Sequence, residues 1–566
     1  METQATRPTP QLFADAGWDD ILPHYEALMA RPLDAATADP WLADWSALEA
    51  ALSEASQLAS IAYSGDTTDP AKEAAHLRFR GEIAPRMEEQ RVRLGGRLLD
   101  LGYERDDLET TLRRFRNQQE IFRAENVPLQ EELAGLGARY QKITGGMTAR
   151  WDGEDLPLPR LRPFLLDPDR SVRERAWRRG LAPYVEKRGE LEDLFDEQYR
   201  LRQEVARNAG FANFRDYAYR ERNRFDYGPE ECAAFGDAIA ETVVPALARR
   251  YERRREQMGL DTLRPWDTEP DPLGRPPLRP FERGDELAER AEAIFARVDP
   301  ALGGYFGTMR REGLLDLDSR AGKAPGGYCT PLAHRHRPFI FMNAAGVSDD
   351  VRTMLHEAGH AFHDFEFFAL PYVFQWHPGA EMAEVASMSM ELLCAPYLAT
   401  ADGGYYAEDE ARRARVEHLE DILSILPWIA TIDGFQDWLY TSGEGHDREA
   451  RAAAWLRIFG RFDAGLDWSG LEAERIARWH RQLHVFLYPF YYVEYGIAQL
   501  GALQVWRNSL RDQAGAVAAY RGALALGGTR PLPELFAAAG ARFAFDAATV
   551  GELVGLIEEQ LAALEG

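Results

Sequence analysis

A stretch of five residues contains two imidazoles and one carboxylate, which belong to His356, His360 and Glu357. Residues four apart on a helix project from one face about one turn apart, which is the placement that two ligands of one metal ion need. A carboxylate beside the first ligand can take a proton from a metal-bound water. The spacing therefore predicts a zinc site on a helix, with His356 and His360 as ligands and Glu357 as a general base.

A catalytic zinc site needs a third protein ligand and keeps its fourth position open. The helix-forming segment 378–393 offers three acids, which are Glu381, Glu384 and Glu391. We select Glu384 as the third ligand, although spacing alone does not reject Glu381. Glu391 follows Glu384 by seven residues on the same helical face, and we expect it to orient a ligand histidine by a hydrogen bond.

Most of the chain has the apolar periodicity of amphipathic helices, so helices are expected to position these residues. The exception near the histidines is a short apolar run, formed by Phe339, Ile340, Phe341 and Met342. Such a run predicts a strand, either buried in the core or at the edge of a cleft. A proline-rich stretch at 264–283 is expected to be a loop or a link between helical layers.

Composition limits the class of protein and its partners. The chain has 566 residues, of which 45% are hydrophobic, and this balance supports a large buried core. The 92 acidic and 66 basic residues give a net charge of −26, which disfavours nucleic acid and membrane surfaces as partners. Three scattered cysteines provide no disulfide framework, and neither a signal peptide nor a membrane span is visible. We therefore expect a cytoplasmic protein.

Five segments together resemble a known family. They are Gly326-Gly-Tyr-Cys329, Pro338-Phe-Ile-Phe-Met-Asn343, Leu355-His-Glu-Ala-Gly-His-Ala-Phe-His363, Ala383-Glu-Val-Ala-Ser387 and His484-Val-Phe-Leu-Tyr-Pro-Phe-Tyr-Tyr-Val-Glu-Tyr-Gly-Ile-Ala-Gln-Leu500. In combination they resemble the thimet oligopeptidase and oligoendopeptidase F family of zinc metallopeptidases, and the last segment resembles its bacterial oligoendopeptidase branch. The similarity extends over about residues 200–510, whereas the first 200 residues match only in being helical.

The resemblance implies a mostly α-helical, saddle- or clam-shaped fold with a deep substrate channel and a small β-sheet beside the metal site. Residues 1–200 would form part of the channel wall, and residues 201–566 would form the catalytic region. One Zn²⁺ per chain, replaceable by Co²⁺ or Mn²⁺, would bind His356, His360 and Glu384. The strand 339–342 would pair with the backbone of an oligopeptide substrate.

The last of the five segments carries His484, Tyr488, Tyr491 and Tyr495, at spacings that include i+3, i+4 and i+7. One helix would gather several of these side chains on one face, which is a pattern typical of a packed core. Hydrolysis of an amide also needs neutral donors for the developing oxyanion, and phenol and imidazole can supply them. By resemblance to the family we assign this role to His484 and Tyr495, with Tyr488 or Tyr491 as a further donor.

These features predict an enzyme that hydrolyses internal peptide bonds of short peptides. One alternative is an exopeptidase with the same zinc chemistry, which would need a group that captures a chain terminus; no feature of the sequence identifies such a group. The other is a non-catalytic peptide-binding metalloprotein. A structural metal site would usually add a fourth ligand, and the isolated cysteines offer no Cys-x-x-Cys pair.

Overall fold

The structure is a computed structural model that describes residues 8–566. The first seven residues, on which the expected lack of a signal peptide depends, lie outside the described residues. The described chain is mostly α-helical with two small sheets, which confirms the predicted fold class. Within these residues, no helix is both long enough and apolar enough to cross a membrane.

The chain divides into two compact units, and each is assembled from three separate segments. The first unit comprises the residues up to Phe122, Arg279–Ala414 and Ala498–Phe543, and the second comprises Arg123–Leu278, Arg415–Ile497 and Ala544–Gly566. The predicted boundary at residue 200 is therefore not where the compact units divide. A contiguous division could not describe this chain, because it passes from one unit to the other several times, twice within a long helix.

The first unit contains twelve complete α-helices and a three-stranded sheet in its described part. The helices before the sheet are α1 (Pro10–Phe13), α2 (Trp18–Ala30), α3 (Ala38–Gly65), α4 (Pro70–Leu77), α5 (Ala84–Asp100) and α6 (Glu109–Ile121). The strands of the sheet are here called βa (Leu315–Asp318), βb (Tyr328–Leu332) and βc (Arg337–Ala344). The helices around the sheet are Gly284–Val298, Pro300–Glu312, Ser348–Phe367 and Ala380–Cys394. The last two helices are Gln513–Leu524 and Leu532–Ala538.

The second unit is helical apart from a hairpin of Thr148–Trp151 and Glu154–Pro157. Its helices are Asn126–Gly145, Arg162–Leu165, Arg170–Glu186, Arg188–Asn208, Phe214–Glu221, Pro229–Ala238, Val244–Gln257, Arg448–Arg461, Glu472–Arg481, Leu483–Leu487 and Ala547–Glu565. The helices Glu408–Thr441 and Tyr492–Ser509 run through both units. The proline-rich stretch 264–283 is a loop with one short 3₁₀ turn, as predicted.

The three-stranded sheet stands beside the helix of the two histidines. Its order is βa-βc-βb, so βc is the central strand. Strand βc runs parallel to βa, where Leu315 lies opposite Ile340, and antiparallel to βb, where Cys329 lies opposite Ile340. The helix Ser348–Phe367, here called the histidine helix, follows βc directly and packs on both βb and βc.

The histidine helix packs most extensively on Ala380–Cys394, here called the glutamate helix. At their contact, a Cβ atom added to Gly359 would lie 2.5 Å from the Cα of Ser387 and 2.7 Å from the carbonyl oxygen of Ala386. Only a residue without a side chain fits at this distance from the neighbouring backbone. Gly359 therefore allows the two helices to approach closely enough to share one site.

Candidate functional site

The two helices bring three potential metal ligands together. His356 and His360 project from one face of the histidine helix, with ring centroids 4.9 Å apart. The Oε2 atom of Glu384, on the glutamate helix, lies 3.3 Å from Nε2 of His356 and 3.7 Å from Nε2 of His360. The ligand atoms of the three residues all lie within 4.8 Å of one another. Glu384, rather than Glu381, is thus the acid that joins the histidines.

This donor set fits zinc. Zinc binds histidine nitrogen and carboxylate oxygen at about 2.1 Å in tetrahedral geometry, so two of its ligand atoms lie about 3.4 Å apart. The two nitrogen–oxygen distances at Glu384, 3.3 Å and 3.7 Å, bracket that separation. Two histidines and one glutamate also leave the fourth position that a catalytic zinc site keeps open.

A second layer of hydrogen bonds holds the ligands in place. Nδ1 of His356 is 2.7 Å from Oε1 of Glu391, so this carboxylate can orient the imidazole from behind. Burial lowers the pKa of His360 to about 4, against the influence of Glu384 and of the Ala383 backbone. The hydroxyl of Ser387 lies 3.0 Å from Oε2 of Glu384. Burial would raise the pKa of Glu384, but its hydrogen bond to His356 and the nearby histidine charges lower it to about 2.

Glu357 has the environment of a group that exchanges protons near neutral pH. Its residue is only 7% exposed, and burial raises the pKa of its carboxyl to about 7, against the opposing influence of His356. The backbone of Cys329, on βb, also acts on this carboxyl and lowers its pKa. A cation bound to the neighbouring histidines would lower this pKa.

The strand predicted at Phe339, Ile340, Phe341 and Met342 exists as part of βc, but its expected role as the open edge strand is wrong. Strand βc pairs with βa on one side and with βb on the other, so both of its edges are occupied. A run of consecutive apolar residues is typical of such a central strand. The strand βb lies at the sheet edge and contacts Glu357 through Cys329.

The tyrosine segment of the second unit is not one helix, in contrast to the expectation. The helix Leu483–Leu487 ends before Tyr488, and the next helix begins at Tyr492. Pro489 disfavours helical backbone at the preceding residue, and Tyr488 has φ −136° and ψ 62°. Phe490 then adopts a left-handed conformation with φ 63°. Tyr488 and Tyr491 therefore lie in a turn, whereas Tyr495 lies on a helix.

This turn gathers aromatic rings around His484. The ring centroid of His484 is 4.7 Å from that of Tyr492 and 6.0 Å from those of Tyr491 and Tyr495. Tyr491 and Tyr495 are 5.1 Å apart. Tyr488 lies 6.3 Å from His484 and is 48% exposed. The structure thus brings all four predicted residues together and adds Tyr492, with Tyr488 at the exposed margin.

Gln482 and Trp428 determine which nitrogen of His484 carries its proton. Nε1–H of Trp428 can only donate, and it lies 3.1 Å from Oε1 of Gln482. The amide nitrogen of Gln482 therefore faces His484, where it donates to Nδ1 at 2.7 Å. The neutral imidazole then carries its hydrogen on Nε2. Burial and the charge of Arg222 lower the pKa of His484 to about 4, so the ring is neutral at physiological pH.

Side chains from distant segments hold the backbone of the turn, and sequence reasoning missed them. Arg202 donates to the carbonyls of Val485 and Phe486. Arg222 and Arg224 donate to the carbonyls of Pro489 and Phe490, and Gln436 accepts from the N–H of Phe490. The sequence contained one indication of these contacts, which was Arg202 within a helix pattern. A buried arginine needs several hydrogen-bond acceptors, so it indicates a backbone that another element must supply.

Comparison with known proteins identifies the family of this chain. Residues 164–287 and 303–554 match Peptidase family M3, and residues 14–119 match the Peptidase M3 N-terminal domain. The chain belongs to Peptidase family M3. The residues that match include both helices of the candidate metal site and the whole tyrosine segment.

Individual M3-type relatives are distant in sequence but similar in fold. An Oligoendopeptidase F homolog of Borreliella burgdorferi is 23% identical over 396 residues, which are 66% of this chain and 62% of the relative. An Oligoendopeptidase F homolog of Lactococcus lactis subsp. lactis is 28% identical over 163 residues, 27% of this chain and 26% of the relative. These alignments span less than two thirds of either relative. The solved structure of PZ peptidase A with inhibitor 2 has a TM-score of 0.87 at 27% identity and covers 99% of both chains.

Proposed function

We propose that this M3 family protein is a zinc-dependent oligoendopeptidase that hydrolyses internal bonds of short peptides. The observation that carries the proposal is the convergence of His356, His360 and Glu384 within 4.8 Å, with Glu357 directly beside the first ligand. Glu357 has no evident purpose in a purely structural metal site, which supports catalysis rather than a binding role. The relatives named oligoendopeptidase F support the same substrate class.

The proposed reaction divides the work between the metal and the carboxylate of Glu357. The two histidines and Glu384 would hold zinc, which would supply Lewis-acid chemistry that acidifies a water and polarises the scissile carbonyl. Glu357 takes the proton of the attacking water and then donates it to the leaving amine. A carboxylate suits both steps, because it can accept a proton and release it again.

His484 and Tyr495 of the second unit are the proposed donors to the oxyanion. A neutral imidazole with its hydrogen on Nε2 can donate a hydrogen bond, and the hydrogen bonds to Gln482 favour that tautomer. Tyr491 is the better candidate for a further donor than Tyr488, because it packs against Tyr495 whereas Tyr488 is half-exposed. For the substrate backbone, βb replaces 339–342 as the proposed pairing strand, since it lies at the sheet edge.

The test is cleavage of a short internally quenched peptide with both ends blocked, with metal content measured on the same sample. We expect internal cleavage, about one zinc per chain, and loss of activity on chelation that added Zn²⁺ restores. Cleavage restricted to peptides with a free terminus would favour the exopeptidase alternative. Bound metal without cleavage of any peptide would favour a peptide-binding metalloprotein.

Two further assignments belong to this proposal. Co²⁺ or Mn²⁺ could replace zinc, because a donor set of two histidines and one carboxylate accepts several divalent ions. The three free cysteines favour a reducing compartment, so we propose the cytoplasm as the location.

A further inference from the structure

Arg478, on the helix Glu472–Arg481, is a half-buried arginine without a counter-ion. In residues 8–566, no carboxylate oxygen lies within 4.0 Å of its guanidinium, and it donates no hydrogen bond to the protein. Two buried arginines of the second unit have a carboxylate partner: Arg224 binds Glu494, and Arg451 binds Glu192. The hydrogen-bond donors of Arg478 therefore have no acceptor among the described residues.

Three aromatic rings hold this guanidinium. Its central carbon lies 4.5 Å from the ring centre of Trp428, 5.4 Å from that of Phe459 and 5.5 Å from that of Trp468. Aromatic faces attract a guanidinium through its charge and its flat surface and do not use its N–H groups. The rings thus restrict the orientation of Arg478 while its five donors stay uncommitted.

The surrounding charges favour an anion. Burial and the charge of Arg481 lower the pKa of Arg478 to about 10, so the group is still protonated at neutral pH. Of the nearby acids, Asp463 pairs with Arg475 at 3.5 Å. A half-buried cation that neighbouring acids do not neutralise gains stability from an added anion.

The charge of Arg478 also reaches the segment that carries the proposed oxyanion donors. It acts on the phenol of Tyr492, whose ring packs 4.7 Å from His484. Trp428, which stacks on Arg478, is joined to His484 through Gln482. A ligand group bound to Arg478 would thus lie near the residues that we propose to contact the scissile peptide bond.

We propose that Arg478 binds a carboxylate of the peptide substrate and so selects peptides that carry a negative charge near the cleaved bond. The carboxylate is either the C-terminus of a short peptide or an acidic side chain. A guanidinium matches a carboxylate with two parallel hydrogen bonds, and Arg481 adds attraction from a second positive charge. This inference rests on the proposed function, because it assigns a specificity residue to that site.

Binding to the inactive variant Glu357→Gln tests the proposal without turnover. The first pair of probes is one peptide with a free C-terminus and the same peptide with a C-terminal amide. The second set is the amidated peptide with Glu or Gln placed at successive positions. We expect the peptide with the correctly placed carboxylate to bind about tenfold more tightly than its neutral counterpart. Adding Arg478→Gln should abolish this difference, whereas Arg478→Lys should retain part of it.

The matched control is Arg457→Gln, which removes the same charge from an exposed position on the helix Arg448–Arg461. A preference for the free C-terminus that only Arg478→Gln removes would identify the terminus as the ligand, and a preference for Glu over Gln would identify a side chain. Equal affinities for all peptides, or the same loss in the Arg457 control, would overturn the proposal. Cleavage of the neutral peptides by the unaltered protein tests the proposed function separately.

Discussion

The metal-site region and the tyrosine segment obtain their geometry in different ways. In the first, two regular helices packed closely at Gly359 place the histidines and Glu384 by helical periodicity. In the second, the backbone between two helices is irregular, and Arg202, Arg222 and Gln436 hold it by side chain–backbone hydrogen bonds. Regular packing suits ligands that must surround one ion, whereas a turn can direct several donors towards one point.

The largest effect should come from the metal-site region. Glu357→Gln retains the size of the side chain but removes the base, so kcat should fall by about 10³–10⁴-fold while the bound metal stays. Steady-state kinetics and elemental analysis of the same sample measure both quantities. Activity close to that of the unaltered protein would exclude Glu357 as the base.

The next effect concerns the tyrosine segment. Tyr495→Phe removes one hydroxyl, and we expect kcat to fall by about 10²–10³-fold with little change in KM, because an oxyanion donor acts mainly in the transition state. Tyr491→Phe and Tyr488→Phe, measured alongside, decide which is the further donor. If Tyr495→Phe changed KM alone, Tyr495 would have a role in substrate binding or packing and not in oxyanion stabilisation.

The close helix contact predicts a third effect. Gly359→Ala places a methyl group against the backbone of Ser387 and should destabilise the protein by about 1–3 kcal/mol and weaken metal binding. Gly522→Ala is the matched control, because this helical glycine has open space around its Cβ position. Thermal unfolding with and without zinc measures the difference. Equal stability of the two variants would contradict the role of Gly359.

A smaller effect is expected at Glu391, which contacts the ligand His356. Glu391→Gln weakens the hydrogen bond to His356 and should lower metal affinity by about 10–100-fold, with the fold retained. Competition with a chelator of known affinity measures this change. If the zinc affinity were unchanged, Glu391 would have no part in orienting the ligand.

The smallest effect is a shift in pH dependence. His484 is neutral above its pKa of about 4, so it does not limit activity at neutral pH. In Gln482→Glu, a carboxylate would face Nδ1 and favour the protonated imidazole, which raises that pKa. Above that pKa the neutral ring would keep its hydrogen on Nδ1, facing the carboxylate, and would lose the Nε2–H donor, so kcat/KM should fall on the alkaline side. An unchanged profile would show that Gln482 does not control His484.

The success of prediction differs between the two regions for a physical reason. His356, His360 and Glu357 could be placed from the sequence because a helix repeats every 3.6 residues and their spacing is local. Glu384 could be selected from the sequence, but setting Glu381 aside needed the packing of the two helices. The open strand was misassigned because apolar pattern does not reveal how many neighbours a strand has.

The sequence by itself determined the helical class, the histidine pair with its adjacent base, and the membership of the tyrosines in one segment. Only the tertiary structure decided the edge strand βb, the tautomer of His484 and the unpaired state of Arg478. Those features depend on contacts between residues far apart in the chain, such as Trp428 with Gln482 and Arg202 with Val485. Local spacing carries no record of such contacts, because they arise only when separate elements pack together.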